Sequence, residues 1–160
     1  MTFEADTPTP PRKPRLIVIG NGMVGHYCLE QLVERQAHQR YAITVFGEER
    51  HRAYDRVHLS DYFTGSDADA LALGEADFCA RHGIDLRLGE AVSAVDRDAR
   101  LVVTERGSHA FDQLILATGS YPFVPPIPGN DRPNCFVYRT LDDLDAIRAA
   151  AETASSGVVV

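Results

Sequence analysis

Residues 16–25 read LIVIGNGMVG, and this stretch decides the fold of the chain. The first four residues are aliphatic and mostly β-branched, which is typical of a strand buried on both faces of a parallel sheet. The next six form the pattern GxGxxG. Apolar residues then recur at helical spacing through Val33, so the pattern predicts a strand, a glycine-rich turn and a helix.

A second strand and an acidic residue complete the unit. Ala42–Phe46 are mostly apolar. Glu48 follows this strand and lies 23 positions after Gly25, the last glycine of the turn, close to the roughly 20 residues typical of such units. In dinucleotide-binding units an acid at this interval holds a ribose, while the turn and the helix N-terminus face a pyrophosphate. The sequence therefore predicts a dinucleotide site, with an ordinary strand-to-helix turn as the alternative.

Each glycine of the turn has a predicted task. Gly20 permits the tight turn out of the strand, and Gly22 lets a pyrophosphate come close to the backbone. Gly25 lets the helix lie close to the sheet.

Composition narrows the class of protein. The 160 residues, 44% of them hydrophobic, suffice for one domain with a core, but not for two nucleotide-binding units. The net charge of -7 argues against a nucleic-acid partner, because such a partner needs a basic face. No apolar run reaches the roughly 18 residues of a membrane span, and no signal-peptide core is recognisable. We expect a cytoplasmic protein without a membrane partner.

The three cysteines, Cys28, Cys79 and Cys135, are far apart and form no CxxC pair. They predict neither a metal site nor a redox dithiol. Cys28 and Cys79 are interpreted as small buried residues on helices.

The rest of the chain predicts an α/β, Rossmann-like fold in which an antiparallel meander takes the place of a crossover helix. The predicted elements are a disordered arm at residues 1–14, a helix at 67–82 capped by Gly83, an edge strand at 84–88, the meander at 92–111, a buried parallel strand at 114–117, a proline-rich loop at 121–129, a helix capped by Thr140, and the beginning of a strand at 158–160.

The polar segment 49–64 leaves the carboxyl edge of the sheet, where such folds hold their ligands. Arg56 in this segment can meet a phosphate or can be an ordinary solvated arginine, and the sequence leaves both open. His58 has no identifiable partner, which favours a hydrogen-bonded loop histidine over a general acid or base. No catalytic side chain is assigned.

Five segments together resemble a known family: GNGMVGH (20–26), AYDRVHLS (53–60), LILATGSYP (114–122), PPIPG (125–129) and YRTLDDLDAI (138–147). The glycine turn and the ATG strand are shared across the pyridine-nucleotide oxidoreductases. GNGMVGH and AYDRVHLS are similar to the large subunits of NAD(P)H-dependent nitrite reductases. Ferredoxin reductases carry proline and lysine around the HLS position, where this chain has Val57, His58 and Asp61. The resemblance covers residues 15–160.

The resemblance implies FAD as the bound dinucleotide. It implies a pyrophosphate over the glycine turn, a ribose on Glu48, and contact between adenine and the backbone of Val92. The residues implied to lie by the cofactor are Gly20, Asn21, Gly22, Met23, Gly25, Glu48, Arg56, Ser60, Val92, Ala117, Thr118 and Gly119.

The resemblance also implies a function and a domain plan. NAD(P)H reduces the flavin, and electrons pass on to metal centres that reduce nitrite to ammonia; a small nitrite reductase subunit is an expected partner. Residues 15–150 are expected to be the first segment of the FAD domain, and 151–160 a linker and the first strand of an NAD(P)-binding domain. The chain is then truncated, and the pyridine-nucleotide site, the returning FAD half, the iron-sulfur cluster and the sirohaem region lie outside it.

Two alternatives stay open at this point. One is a rubredoxin or ferredoxin reductase. The other is a truncated nucleotide-binding module that binds its cofactor or a partner without turnover.

Overall fold

Strand β1 (Arg15–Ile19) is paired on both edges, and the larger sheet is built around it. In the computed structural model, which describes residues 12–160, β1 pairs in parallel with β2 (Ala42–Gly47) and with β7 (Gln113–Leu116). A fourth parallel strand, β3 (Asp85–Leu88), lies outside β2, giving the order β3-β2-β1-β7. Ile19 is in register with both Phe46 and Leu116, so three strands end together at one edge of the sheet.

A second sheet connects β3 to β7 along the chain. It is antiparallel, with the order β4-β5-β6, and its strands are β4 (Val92–Asp96), β5 (Leu101–Thr104) and β6 (Gly107–Ala110). Val102 of β5 is fully buried against Ile17, Ile19 and Phe46. The predicted meander in place of a crossover helix is confirmed, and it covers one face of the parallel sheet.

The opposite face of the parallel sheet carries Leu16, Val18, Ile43 and Val45, which pack on Leu29 of the first helix, α1 (Met23–Glu34). Alternate residues of β1 therefore enter two different cores, as expected for a strand covered on both sides. The helices are α1 (Met23–Glu34), α2 (Ala37–Arg40), α3 (Ala68–Leu71), α4 (Phe78–Arg81) and α5 (Leu141–Ala151), with a 3₁₀ helix at Leu59–Thr64.

Helix α5 begins as the sequence predicts. The Thr140 side chain accepts a hydrogen bond from the Asp143 N–H, and the Asp143 carboxylate accepts one from the Thr140 N–H. This capping box fixes the first turn, and Leu141 and Leu144 are fully buried in a third core with Tyr54.

The single helix predicted at residues 67–82 is wrong. The chain instead forms the one-turn helices α3 and α4, because Ala72 is extended and pairs with Tyr54 as an isolated antiparallel bridge. Gly74 has φ +64° and lies against the His26 ring, which a Cβ there would approach to 2.7 Å. Pairing and packing with distant residues therefore override the local helical composition. Gly83, with φ +63°, does follow α4 as predicted.

Strand β7 differs from the prediction in its burial. Its outer edge is unpaired among the residues that the structure describes, and Leu116 is 66% exposed. Residues 158–160 are exposed and lie outside any strand, so their assignment to a further domain stays a prediction.

The predicted disordered arm falls mostly on residues 1–11, which lie outside the described residues. Its last part is anchored, since the Pro14 carbonyl accepts a hydrogen bond from the Ala42 N–H and Arg12 pairs with Asp112. Cys28 and Cys79 lie on α1 and α4 as predicted, although both are only partly buried.

No helix in the described part of the chain combines the length and the apolar character needed to cross a membrane.

A buried carboxylate joins the two sheets. Glu90, between β3 and β4, is almost fully buried and accepts hydrogen bonds from the Thr104 hydroxyl at 2.7 Å and from Arg106 at 3.3 Å. His109 Nε2 lies 3.4 Å and Arg87 Nη1 3.9 Å from the same carboxylate. The hydrogen bond from Thr104, reinforced by the nearby cations, lowers the pKa of Glu90.

We expect Glu90→Gln to lower the free energy of unfolding at neutral pH by about 1–2 kcal/mol, because the neutral amide binds these cations less well. The folded protein holds the pKa of Glu90 below that of the unfolded chain. The stabilisation by the Glu90 carboxylate is therefore fully present above the pKa that Glu90 has in the unfolded chain. It is lost as the pH falls through the lower pKa that Glu90 has in the folded protein.

Urea unfolding at a series of pH values measures this effect, with exposed Glu105→Gln as the matched control. Parent and Glu90→Gln should converge in acid. Equal stability of the two chains at neutral pH would contradict the assignment.

Candidate nucleotide-binding site

A cleft with a volume of about 810 Å³ lies at the edge where β1, β2 and β7 end. This size falls within the roughly 300–1,000 Å³ of small-molecule and cofactor sites, and the carboxyl ends of parallel strands are their usual position. All predicted site residues except Gly25 and Ser60 line the cleft. Segments that are distant in the sequence therefore come together at one cleft, as the predicted dinucleotide site requires.

Two glycines of the turn are needed for packing. Gly20 has φ +109°, and a Cβ there would lie 2.1 Å from the Ala117 carbonyl oxygen. A Cβ on Gly25 would lie 2.2 Å from the Gly20 carbonyl oxygen, so this glycine lets α1 start directly against the turn. Gly25 thus lies beneath the cleft rather than in its wall.

Gly22 has a different environment. A Cβ there would meet no atom within 4 Å, although Gly22 lines the cleft. Its φ of -89° is open to any residue, so neither strain nor crowding within the protein calls for glycine at this position. The space in front of its backbone is free for a ligand.

The N-terminus of α1 faces the same space. Gly22 precedes the helix without a side-chain capping bond, and the first turn contains no acidic residue. Met23 and Val24 line the cleft. Uncapped N–H groups and the positive end of a 12-residue helix favour an anion here.

Glu48 follows β2, is exposed and lines the cleft. One of its oxygens accepts a hydrogen bond of 2.6 Å from the Tyr121 hydroxyl. This hydrogen bond raises the pKa of Tyr121. An ionised carboxylate has about four lone-pair positions, so Glu48 can accept further donors from a ligand.

The neighbouring Glu49 belongs to a structural cluster. It accepts the Tyr54 hydroxyl at 2.6 Å and pairs with Arg56, whose Nη1 donates to the Arg139 carbonyl at 3.0 Å. The Tyr54 oxygen in turn accepts the Leu141 N–H, and burial followed by the hydrogen bond to Glu49 raises the pKa of Tyr54. The cluster fastens the start of α5 to the segment after β2.

This cluster decides one of the alternatives for Arg56. The guanidinium is partly buried, lies over the Tyr54 ring and is held by Glu49, so the interpretation of Arg56 as an ordinary solvated arginine is wrong. Arg56 lines the cleft, and its contact with a phosphate stays a prediction.

Ser60 and His58 lie away from the cleft lining. Ser60 is exposed on the 3₁₀ helix, so its implied position beside the cofactor stays a prediction. His58 Nδ1 lies 2.8 Å from Asp55 Oδ2, which raises the pKa of His58 and lowers that of Asp55. The interpretation of His58 as a hydrogen-bonded loop histidine is confirmed.

The cleft residues that sequence reasoning missed include Tyr121, at the start of the proline-rich loop, and Arg139, beyond that loop. Arg139 lines the cleft, and its Nη2 lies 3.3 Å from the Ser120 hydroxyl. Tyr121 follows the ATGS segment and reaches Glu48. Tyr121 could have been found from the sequence, because the motif LATGSYP places it just after the end of a strand at the ligand-binding edge. Arg139 could not, because no spacing rule links it to the glycine turn.

The chain belongs to the pyridine nucleotide-disulphide oxidoreductase family, whose model matches residues 14–160. The large subunit of NAD(P)H nitrite reductase from Klebsiella oxytoca is 58% identical over 149 residues, which are 92% of this chain and 16% of that protein. The NADH nitrite reductase large subunit of Escherichia coli K12 is 46% identical, with 92% and 18% covered. This chain therefore spans less than a fifth of these relatives.

A solved structure supports the same fold. The covalent putidaredoxin reductase–putidaredoxin complex matches with a TM-score of 0.74 and 26% identity, over 86% of this chain and 34% of that chain. The predicted α/β fold and the family resemblance are confirmed.

We expect Gly22→Val to abolish nucleotide binding, because its branches fill the open space in the cleft. The loss of stability should be small, since the branches meet no protein atom and only the weaker N-cap preference of valine counts against the helix. Gly25→Ala should instead destabilise the chain by about 1–3 kcal/mol, since its methyl group collides with the Gly20 carbonyl. Thermal unfolding and FAD titration of both variants measure the two effects separately. Unchanged FAD affinity in Gly22→Val would contradict the position of the phosphate.

Proposed function

We propose that this chain is the FAD-binding part of an NAD(P)H-dependent oxidoreductase of the nitrite reductase large-subunit type. The observation that supports it best is the cleft itself, where the open backbone of Gly22, the uncapped start of α1 and the exposed carboxylate of Glu48 line one space. The 58% identity to a nitrite reductase large subunit favours this type over the rubredoxin and ferredoxin reductases.

The residues of the cleft fit a flavin dinucleotide. Gly22 and the first turn of α1 would hold the pyrophosphate, and Glu48 would accept hydrogen bonds from the adenosine ribose. Arg139 would add a positive charge near the phosphates. In the described part of the chain, the only side-chain partner of its guanidinium is the Ser120 hydroxyl. We propose the backbone of Val92 and the segment Ala117–Gly119 as further contacts.

Bound FAD would supply the redox chemistry, accepting a hydride from NAD(P)H and passing electrons on. The residues of this chain bind and orient that group. We assign none of them to proton transfer: His58, which pairs with Asp55, lies outside the cleft lining, and His51, which lines the cleft, lies 3.6 Å from the Asp142 carboxylate.

We propose further that this chain corresponds to one segment of a longer protein of the same type as these relatives. Residues 15–150 would be the first segment of its FAD domain, and 151–160 a linker and the first strand of an NAD(P)-binding domain. Electrons would then reach an iron-sulfur cluster and sirohaem in other regions and reduce nitrite to ammonia, in the cytoplasm and together with a small subunit.

Glu48→Ala should weaken FAD binding by about 10- to 150-fold, because hydrogen bonds to a charged acceptor contribute roughly 1.5–3 kcal/mol. Isothermal titration calorimetry measures the affinity, with exposed Glu152→Ala, away from the cleft lining, as the control. A loss below about twofold would exclude Glu48 as the ribose ligand.

The 160-residue chain should bind FAD weakly and should not oxidise NADH with nitrite as the acceptor. Hydride transfer needs the two rings held in near-attack geometry, which can account for about 7–11 kcal/mol of a barrier. The described residues contain a single glycine turn of this kind. A chain extended through the NAD(P) domain and the returning FAD segment of a relative should reduce ferricyanide with NADH.

Both chains can be compared by the loss of NADH absorbance in the presence of FAD. Turnover by the 160-residue chain near the rate of the extended chain would contradict the division of the site between two segments.

A further inference from the structure

A hydrogen bond joins the two sides of the cleft. The Tyr121 hydroxyl donates to Glu48 Oε2 over 2.6 Å. Glu48 follows β2 and Tyr121 follows β7, and these strands lie on either side of β1, about 10 Å apart at the usual strand spacing. The bond therefore crosses the carboxyl end of β1, where the glycine turn begins.

The ring of Tyr121 is available to a ligand. Tyr121 lines the cleft and is 79% exposed. Most of its ring therefore faces solvent, although its hydroxyl is bonded to Glu48. Pro122 follows directly, and its fixed φ limits the backbone freedom of this part of the loop. A large aromatic ring placed in this way can bury much of its surface against a bound nucleoside.

Glu48 retains capacity for a second donor. One Tyr121 hydroxyl uses one of about four lone-pair positions on the carboxylate, and it restricts the rotation of the group. An oriented acceptor loses less conformational entropy when a ligand binds. The bond can thus prepare Glu48 for ribose hydroxyls instead of competing with them.

We propose that Tyr121 is a positioning residue for the adenosine half of the dinucleotide. Its hydroxyl orients the Glu48 carboxylate toward the ribose, and its ring covers the nucleoside. This inference rests on the proposed function, because it assumes that Glu48 is the ribose ligand.

The test compares two ligands that differ in the ribose. ADP carries the adenosine ribose, whereas inorganic pyrophosphate offers only the phosphates. Their affinities for the ¹⁵N-labelled 160-residue chain are measured by chemical-shift titration, which quantifies weak binding. Tyr121→Phe keeps the ring and removes the hydroxyl, and it should weaken ADP binding about three- to tenfold while leaving pyrophosphate binding unchanged.

Two further variants make the result specific. In a Glu48→Ala chain, Tyr121→Phe should have no additional effect on ADP, since the hydroxyl acts through the carboxylate. Phe123→Ala is the matched control, because Phe123 is 85% exposed on the same loop but does not line the cleft, and it should bind both ligands like the parent.

The outcomes separate this inference from the proposed function. A parent chain that binds neither ADP nor pyrophosphate overturns both. If the parent chain binds ADP and Tyr121→Phe binds it equally well or more tightly, this inference alone is overturned. Tighter binding by Tyr121→Phe would mean that Tyr121 competes with the ribose. A loss that affects pyrophosphate equally, or that persists in Glu48→Ala, also overturns the positioning role.

Discussion

The close approach of two backbone segments at the end of β1 is the constraint on which the rest of the structure depends. Helix α1 starts directly at the turn only because Gly25 has no Cβ to collide with the Gly20 carbonyl, and Gly20 itself lies against Ala117. These contacts bring the helix N-terminus and the end of β7 to one point. The cleft lies where three strands and one helix meet at this point.

Two carboxylates hold the surroundings of this point in place. Glu90 ties the antiparallel meander to the parallel sheet, and Glu49 ties the start of α5 to the segment after β2. Both are committed to partners within the protein. Glu48, beside Glu49 in the sequence, extends from the same strand end toward the cleft. Adjacent glutamates thus divide between structural support and the proposed contact with a ligand.

Local patterns predicted those parts of the fold that depend on local chemistry. The GxGxxG turn, the meander and the Thr140 capping box are examples, because spacing or a single cap determines each of them. The helix at 67–82 failed because Ala72 pairs with Tyr54 and Gly74 packs on His26, contacts that no local pattern encodes. The Arg56–Glu49 pair and the Tyr121–Glu48 bond likewise join residues from different elements. Their geometry becomes visible only when the chain is folded.

The outer edge of β7, which pairs with no strand among residues 12–160, has a consequence for the behaviour of the chain in solution. Its unpaired backbone groups, next to the exposed Leu116, can accept another extended segment by strand addition. The net charge of -7 opposes the approach of like molecules, and salt screens that repulsion within about 10 Å at 0.1 M. Self-association of this chain should therefore increase with ionic strength, so dilute, low-salt buffers suit its handling.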